Sequence, residues 1–309
     1  MDTITNAVTI RQPTPADAQA VLDFMIACDI AFYGEPDSDL ESLLDDWANI
    51  DLSQDAWLAF SPENQMIGYA AVQKAAQRFT FDQYIHPTLA PKGLTRHLLT
   101  QCEIRAREQL TDKKAEIPAV TYFPHVNLAA IHETEELGFK QFVSHFGMRI
   151  SFTVPPPEPA WPEGITLRNA VPGEDDRLIY DFIQKVFDWP GRTPPTFERW
   201  RALMLGAYNF DPELWFLAYR ADELVGAALC FDYPINGWVR QLGVLQEWRR
   251  KGLGAALLQY VYGVFYRRGH TRVGLVVESN NPKAYEFYER VGMQRVQQYV
   301  EYQKVLSVS

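Results

Sequence analysis

The spacing of apolar residues in the second half of the chain alternates between that of helices and that of strands. Between Gly252 and Arg268, apolar residues recur every three or four positions, which predicts a helix with one apolar face. The next segment, Thr271–Val277, is apolar on both faces, as in a strand that helices cover on two sides. Gly269 directly follows the two arginines of the last helical turn, which is typical of a helix C-terminus.

Similar patterns predict further elements on either side of this helix. Strands are predicted at residues 166–168, 215–220, 224–232, 238–244 and 297–306, and helices at 172–187 and from Pro282 to a stop at Gly292. Several strands come first, and strand, helix, strand, helix and strand follow. This order predicts an α/β (α+β) fold in which a mixed central sheet is flanked by helices.

The two halves of the chain resemble each other segment by segment. Matching segments begin at Thr9 and Thr166, at Trp57 and Trp215, and at Asn127 and Asn281, with offsets of 157, 158 and 154 residues. The segment VPPPEPAWPEG between them carries five prolines, which favour a stiff linker. The sequence therefore predicts a duplicated domain, with copies at residues 1–153 and 165–309 and a linker at 154–164.

Composition narrows the class of protein. At 309 residues the chain has the length of two ordinary domains, and its net charge of -10 argues against nucleic acid or an anionic membrane as its partner. Three widely spaced cysteines and six histidines show no metal-ligand spacing, so no metal site is predicted. The chain shows neither a signal peptide nor an apolar run long enough to span a membrane, so we expect a cytoplasmic protein.

A basic, glycine-rich loop precedes the helix that starts near Gly252. It reads Arg249-Arg250-Lys251-Gly252-Leu253-Gly254 and joins a predicted strand to that helix. The free amides of a first helical turn bind phosphate oxygens, and glycines let the backbone approach them closely. A short glycine motif of this kind also occurs in plain surface turns, so the loop needs a second element to be informative.

That second element is a later helix with polar residues on one face. Asn281, Ala284, Tyr288 and Gly292 are spaced by three, four and four residues, which places them on one side of a helix. Asn281 also suits a plain helix cap. Tyr288 also suits a half-buried core aromatic, with the neighbouring Tyr285 as the alternative for any chemical role.

Together, the loop and the helix make residues 239–293 similar to the cofactor-binding half of the GNAT N-acetyltransferase superfamily. The resemblance implies two tandem domains, each with a mixed sheet whose central parallel strands splay apart to hold acetyl-CoA. The implied cofactor-binding residues are Leu242, Gly243, Val244, Arg249, Arg250, Lys251, Gly252, Leu253, Gly254, Asn281, Ala284 and Tyr288.

The resemblance also implies how the reaction proceeds. The backbone amide of Val244 is expected to stabilise the charge that develops on the thioester oxygen, and Tyr288 is expected to protonate the departing thiolate. The strand WVRQLGV before the loop has no carboxylate that could deprotonate the amine. Glu278 is taken as the candidate base, with Glu247 as a second candidate.

The first half departs from this pattern. Its loop, residues 90–95, reads APKGLT, so it keeps one glycine, loses the arginine and gains a proline that removes an amide donor. In its later helix Thr134 stands where the second half has Tyr288. We therefore expect a degenerate copy without catalytic activity.

The predicted function is direct acetyl transfer from acetyl-CoA to a primary amine, with the active site in the second half. The acceptor is expected to be a small molecule or a peptide, and the aromatic residues Trp189, Trp200, Tyr208 and Phe210 lie where related enzymes receive it. A mycothiol-synthase-like enzyme and a non-catalytic CoA-binding sensor or scaffold are the alternatives. The sequence leaves a homodimer open.

Overall fold

The computed structural model describes residues 8–75, 78–111, 116–188, 192 and 194–307. The described chain forms two compact units. The first contains the residues up to Phe146, Glu278–Asn281 and the end of the chain from Val296. The second contains Gly147–Val277 and Pro282–Arg295.

The first unit is a mixed sheet with helices around it. Its strands are β1 (Thr9–Arg11), β2 (Ala56–Phe60), β3 (Met66–Ala75), β4 (Arg78–Ile85), β5 (Ile117–Pro124), the start of β6 (Lys140–Ser151) and most of β12 (Gln294–Leu306). Its helices are α1 (Ala18–Tyr33), α2 (Leu40–Ala48), α3 (Leu52–Asp55), α4 (Leu94–Glu108) and α5 (Leu128–Glu136). The strand order is β1-β2-β3-β4-β5-β12, in which only the β4–β5 pairing is parallel.

The second unit repeats this arrangement. Its strands are the end of β6, β7 (Ile165–Asn169), β8 (Trp215–Arg220), β9 (Glu223–Tyr233), β10 (Asn236–Val244) and β11 (Arg272–Glu278, of which Glu278 lies outside the unit). Its helices are α6 (Asp176–Val186), α7 (Phe197–Leu205), α8 (Leu253–Arg267) and α9 (Pro282–Arg290). The strand order is β6-β11-β10-β9-β8-β7, and β10 and β11 are parallel.

A glycine lets one helix pack closely on the sheet in each unit. A Cβ atom at Gly226 of β9 would lie 2.9 Å from Leu257 and 3.3 Å from Leu253, both in α8. In the first unit, a Cβ at Gly68 of β3 would lie 3.2 Å from both Leu94 and Leu98 of α4. These contacts fix the height at which α8 and α4 start above their sheets.

The predicted elements of the second half are present, with shifts at their ends. The strand predicted at 215–220 has those limits, whereas the helix predicted from residue 172 starts at Asp176. Gly173 has a φ of 86°, and the carboxylate of Asp175 accepts a hydrogen bond from the Val171 amide at 2.7 Å. Both features belong to a turn, so the helix begins only after it.

The two units follow different limits from the predicted copies at residues 1–153 and 165–309. Residues 299–306 of β12 pair antiparallel with residues 117–124 of β5, so the last strand of the chain lies in the first unit. In return, residues 147–151 of β6 lie in the second unit. The predicted copies remain a proposal about how the sequence was duplicated.

Two kinds of feature are absent from the described residues. No described helix is both long and apolar enough to cross a membrane. In the same part of the chain, no group of three or more His, Cys, Asp or Glu side chains is arranged to hold a metal ion.

Candidate active site

The parallel strands β10 and β11 separate shortly after they begin. Their paired residues are Gly237 with Val273 and Trp238 with Gly274. Both strands are described in full, and beyond these pairs no further pairing joins them, although β10 continues to Val244. The edge of β10 that faces β11 is therefore open, and its backbone groups can bind an extended ligand.

A bulge at Arg240 sets which side chains of β10 face which helix. The register of β9 with β10 shifts between Val239 and Gln241. A Cβ at Gly243 would lie 2.5 Å from Val186 of α6, so Gly243 faces α6. Because side chains alternate along a strand, Gln241 faces the same side, and Val244 faces the opposite one. In the first unit, β3 and β4 pair without a break from Gly68–Ile85 to Ala75–Arg78.

The N-terminus of α8 is open, as the loop sequence predicts. Gly252 is the N-cap residue and has a φ of 88°, a left-handed conformation that favours glycine. Within the described part of the chain, the cap residue supplies no side-chain hydrogen bond to the first turn. A Cβ at Gly252 would meet nothing within 4 Å. These amides can therefore bind an anion.

The three basic residues before Gly252 differ in their surroundings. Arg249 donates to the carbonyl oxygens of Val244 and Val186, both at 3.2 Å, so it ties the loop to the ends of β10 and α6. Arg250 has a φ of 61°, which is unfavourable for a residue with a Cβ. The ammonium group of Lys251 lies 5.1 Å from the centre of the Trp248 ring. Arg250 and Lys251 are exposed and leave positive charge at the loop.

Gly254 lies where the start of α8 approaches α9 and β10. A Cβ at this position would lie 3.3 Å from the Phe287 ring and 3.6 Å from Val244. Leu253 next to it is fully buried against the sheet. The second glycine of the loop therefore keeps space between two helices and a strand, in addition to leaving the first-turn amides accessible.

Tyr288 lies in α9, within the second unit, as does Tyr262 of α8. Burial raises the pKa of Tyr288 to about 12, so the phenol keeps its proton at neutral pH. Burial and, to a smaller extent, Tyr288 raise the pKa of Tyr262, so the two rings are neighbours. The alternative residue Tyr285 stacks against Arg295, 4.2 Å from its guanidinium carbon. The role assigned to Tyr288 stays a prediction.

Three predicted residues lie close in sequence to α9. Ala284 is in α9 and half-buried. Asn281 directly precedes the helix and, like Glu278, is exposed and belongs to the first unit. The Asn281 amide donates to the Glu278 carbonyl at 3.1 Å. The roles assigned to Glu278 and Asn281 stay predictions.

The matching loop of the first unit is closed by the protein itself. Gly93 caps α4 with a φ of 94°, as Gly252 caps α8. Here, however, the carboxylate of Glu133 accepts hydrogen bonds from the amides of Gly93, at 2.5 Å, and Arg96, at 3.0 Å. Pro91 stands where the second unit has Arg250, and its ring excludes a positive φ.

Polar groups that sequence reasoning missed lie beside the predicted site residues. Oε1 of Gln241 is buried and has no hydrogen-bond partner among the described residues, and the same holds for both amide atoms of Gln184 in α6. Buried polar groups are normally paired, so an unpaired set indicates a place for a polar ligand. The strand pattern alone cannot reveal Gln241, because the bulge decides which way it faces.

The aromatic residues predicted near the acceptor have mixed surroundings. Trp200 and Phe210 pack against Trp215, with ring centres 5.9 and 5.0 Å apart, and Trp200 is buried. Tyr208 is exposed. Trp189 lies outside the described residues. The packing makes Trp200 a core residue and leaves Tyr208 accessible.

Comparison with known proteins identifies the family. The model of the acetyltransferase (GNAT) family matches residues 178–293. A mycothiol acetyltransferase from Salinispora arenicola is 30% identical over 235 residues, which is 71% of each protein. A crystal structure of a GCN5-related N-acetyltransferase from Sphaerobacter thermophilus is 36% identical, covers 96% of this chain and 95% of its own, and has a TM-score of 0.83. The chain belongs to the GNAT acetyltransferase family.

A further solved structure bears on the architecture. A tandem GNAT protein from the clavulanic acid biosynthesis pathway superposes on 96% of the chain with a TM-score of 0.69, at 12% identity, and so shows the fold alone. The predicted fold class is confirmed, as is the prediction that the chain is an N-acetyltransferase.

Proposed function

We propose that this GNAT protein transfers the acetyl group of acetyl-CoA directly to a primary amine, at one working site formed by the second half of its sequence. The observation that carries this proposal is the open N-terminus of α8. Gly252 leaves the first-turn amides uncapped, and Arg250 and Lys251 supply positive charge beside them. A pyrophosphate fits this combination of donors and charge.

The open edge of β10 supports the same proposal. Beyond Trp238, β10 and β11 are described in full and are not paired with each other, so Leu242, Gly243 and Val244 have room for an extended ligand along them. The amide groups of the pantetheine arm can pair there as another strand would. Asn281 and Ala284 are proposed to contact the same arm.

Acetyl-CoA supplies the acetyl group as a thioester. The Val244 amide is proposed to donate a hydrogen bond to the thioester oxygen, where negative charge grows during attack by the amine. Tyr288 is proposed to donate a hydrogen bond to the sulfur. A thiol has a pKa of about 8.5, below the value of about 12 at Tyr288, so the phenol acts mainly through its hydrogen bond to the developing thiolate. Glu278 is proposed as the base.

The acceptor is proposed to be a small-molecule or peptide amine that carries polar groups. The amide oxygen of Gln241 and both polar amide atoms of Gln184 are buried and lack partners in the described chain, and a hydroxyl-bearing acceptor would pair with them. Mycothiol acetyltransferase activity is the second candidate, favoured by the relative from Salinispora arenicola. No metal, nucleic acid or membrane enters the proposal, and the enzyme is proposed to be cytoplasmic.

A non-catalytic CoA sensor is the competing function. A protein that only binds CoA has no need of a hydrogen-bond donor at the sulfur, which is the role proposed for Tyr288. The test is release of free CoA thiol from acetyl-CoA, measured with a panel of small amines, amino sugars and peptides. Amine-dependent release that Gly254→Asp abolishes supports the enzyme. CoA binding without release for any amine supports the sensor.

A further inference from the structure

Glu133 places a carboxylate where a phosphate group would bind in the first unit. Its two oxygens accept hydrogen bonds from the amides of Gly93 and Arg96, in the first turn of α4. The residue is only 4% exposed. A single carboxylate thus occupies two of the donors that make a helix N-terminus an anion site.

The second unit has a different residue at the matching position. Glu133 is the sixth residue of α5, and Phe287 is the sixth residue of α9. The Phe287 ring lies against Gly254 at the start of α8, the place that Glu133 takes against α4. A phenyl ring accepts no conventional hydrogen bond, so the first turn of α8 keeps its donors for a ligand.

The charged residues near these two helix starts also differ between the two units. The exposed Arg96 of α4 forms an ion pair with Glu136, one turn after Glu133, so its charge is already balanced. In the second unit the loop carries the exposed Arg250 and Lys251, where the first unit has Pro91 and the exposed Lys92. The first unit therefore carries its own anion, and the second has positive charge and free donors.

We infer that Glu133 is a built-in substitute for the pyrophosphate, and that the residue at this helix position decides which unit accepts CoA. The inference rests on the proposed function for the second unit. The part that concerns the first unit, namely that the Glu133 carboxylate blocks an anion site, can be tested without CoA.

The first test introduces the carboxylate into the second unit. Phe287→Glu should weaken CoA binding by roughly 10- to 100-fold, the loss expected when charge-assisted hydrogen bonds are taken by another group. Phe287→Gln has the same length without the charge and should change affinity by less than about threefold. Calorimetry with the full-length chain measures both. Equal affinities for Phe287→Glu and Phe287→Gln would overturn the inference.

The second test removes the carboxylate from the first unit. Gly254→Asp serves as the background, because it blocks the anion site of α8. In that background, Glu133→Ala should create a thermal stabilisation that grows with inorganic pyrophosphate concentration, whereas the variant that keeps Glu133 should show none. No difference between the two would overturn the inference, whatever the native chain does with CoA. Failure of the native chain to bind CoA would instead contradict the proposed function.

Discussion

At the scale of single residues, Tyr288 is the side chain on which the proposed chemistry depends most. Its pKa of about 12 keeps the phenol protonated across the neutral and mildly alkaline range. Tyr285 is its natural control, because it lies in the same helix and packs against Arg295.

Tyr288→Phe should lower kcat by about 10²–10³-fold and leave KM for acetyl-CoA nearly unchanged, because the ring stays and only the hydrogen bond to the developing thiolate is lost. Steady-state kinetics with the best amine of the panel measures this. Tyr285→Phe should retain activity. If the Tyr288→Phe enzyme is as fast as the native one, Tyr288 is a packing residue.

Asp82 of β4 offers a test of electrostatics in the first unit. Burial, with smaller effects of Asp46 and Asp29, raises its pKa to about 7. In the unfolded chain an aspartate has a pKa of about 3.9. Between these values the folded state binds more protons than the unfolded state, so stability falls as the pH rises from about 4 to about 7 and the full cost of the buried charge applies above about 7.

Asp82→Asn should therefore raise the free energy of unfolding by about 1–3 kcal/mol at pH 8 and by less at pH 5. Urea unfolding at the two pH values measures the difference. If Asp82→Asn changes the free energy of unfolding equally at both pH values, Asp82 is either already neutral at pH 8 or well solvated.

For single residues, the sequence predicts the structure best where the backbone conformation requires a particular residue type. Gly252 in its left-handed conformation is such a position, since few other residues adopt a φ of 88°. The sequence does not predict the structure where packing between distant segments decides it. Nothing local to residue 133 shows that Glu133 reaches the amides of α4, 40 and 37 residues away.

At the scale of elements, β10 separates two faces of the second unit. The bulge at Arg240 turns Gln241 and Gly243 towards α6 and leaves Val244 on the side of α8. The predicted strand at 238–244 falls inside the observed Asn236–Val244. The bulge was not predicted, because hydrophobic alternation alone does not indicate where an extra residue enters a strand.

Gly243→Ala should destabilise the protein by about 1–3 kcal/mol, because the new methyl group would lie 2.5 Å from Val186. Val186→Ala removes the group that it meets. The double variant should therefore be more stable than the sum of the two single effects predicts, as a double-mutant cycle of unfolding free energies can establish. Strict additivity would mean that α6 does not press on β10.

At the scale of the whole chain, its last strand does not complete the second unit. β12 pairs with β5, and its residues Val300, Tyr302 and Leu306 join the core of the first unit. The sequence predicts a strand at 297–306, but strand pairing is a long-range property. Because the two halves are similar, the sequence pattern does not show which of the two sheets the last strand joins.

This pairing predicts which fragment of the chain folds. Residues 163–309 lack the segment 147–151 of the second unit and would expose the apolar face of β12, so this fragment should aggregate. Residues 147–295 contain every segment of the second unit and should be more soluble, with a cooperative thermal transition. Light scattering and thermal melts compare them. The opposite order of solubility would contradict the pairing of β12 with the first unit.

The central claim is that one unit alone binds the acetyl donor. Calorimetric titration of CoA into the full-length chain tests it directly, with Lys251→Glu and Lys92→Glu as a matched pair at equivalent, exposed loop positions. The account predicts one CoA per chain, an affinity weakened about tenfold or more by Lys251→Glu, and none of that loss in Lys92→Glu. Two CoA per chain, or a loss caused by Lys92→Glu alone, would contradict it.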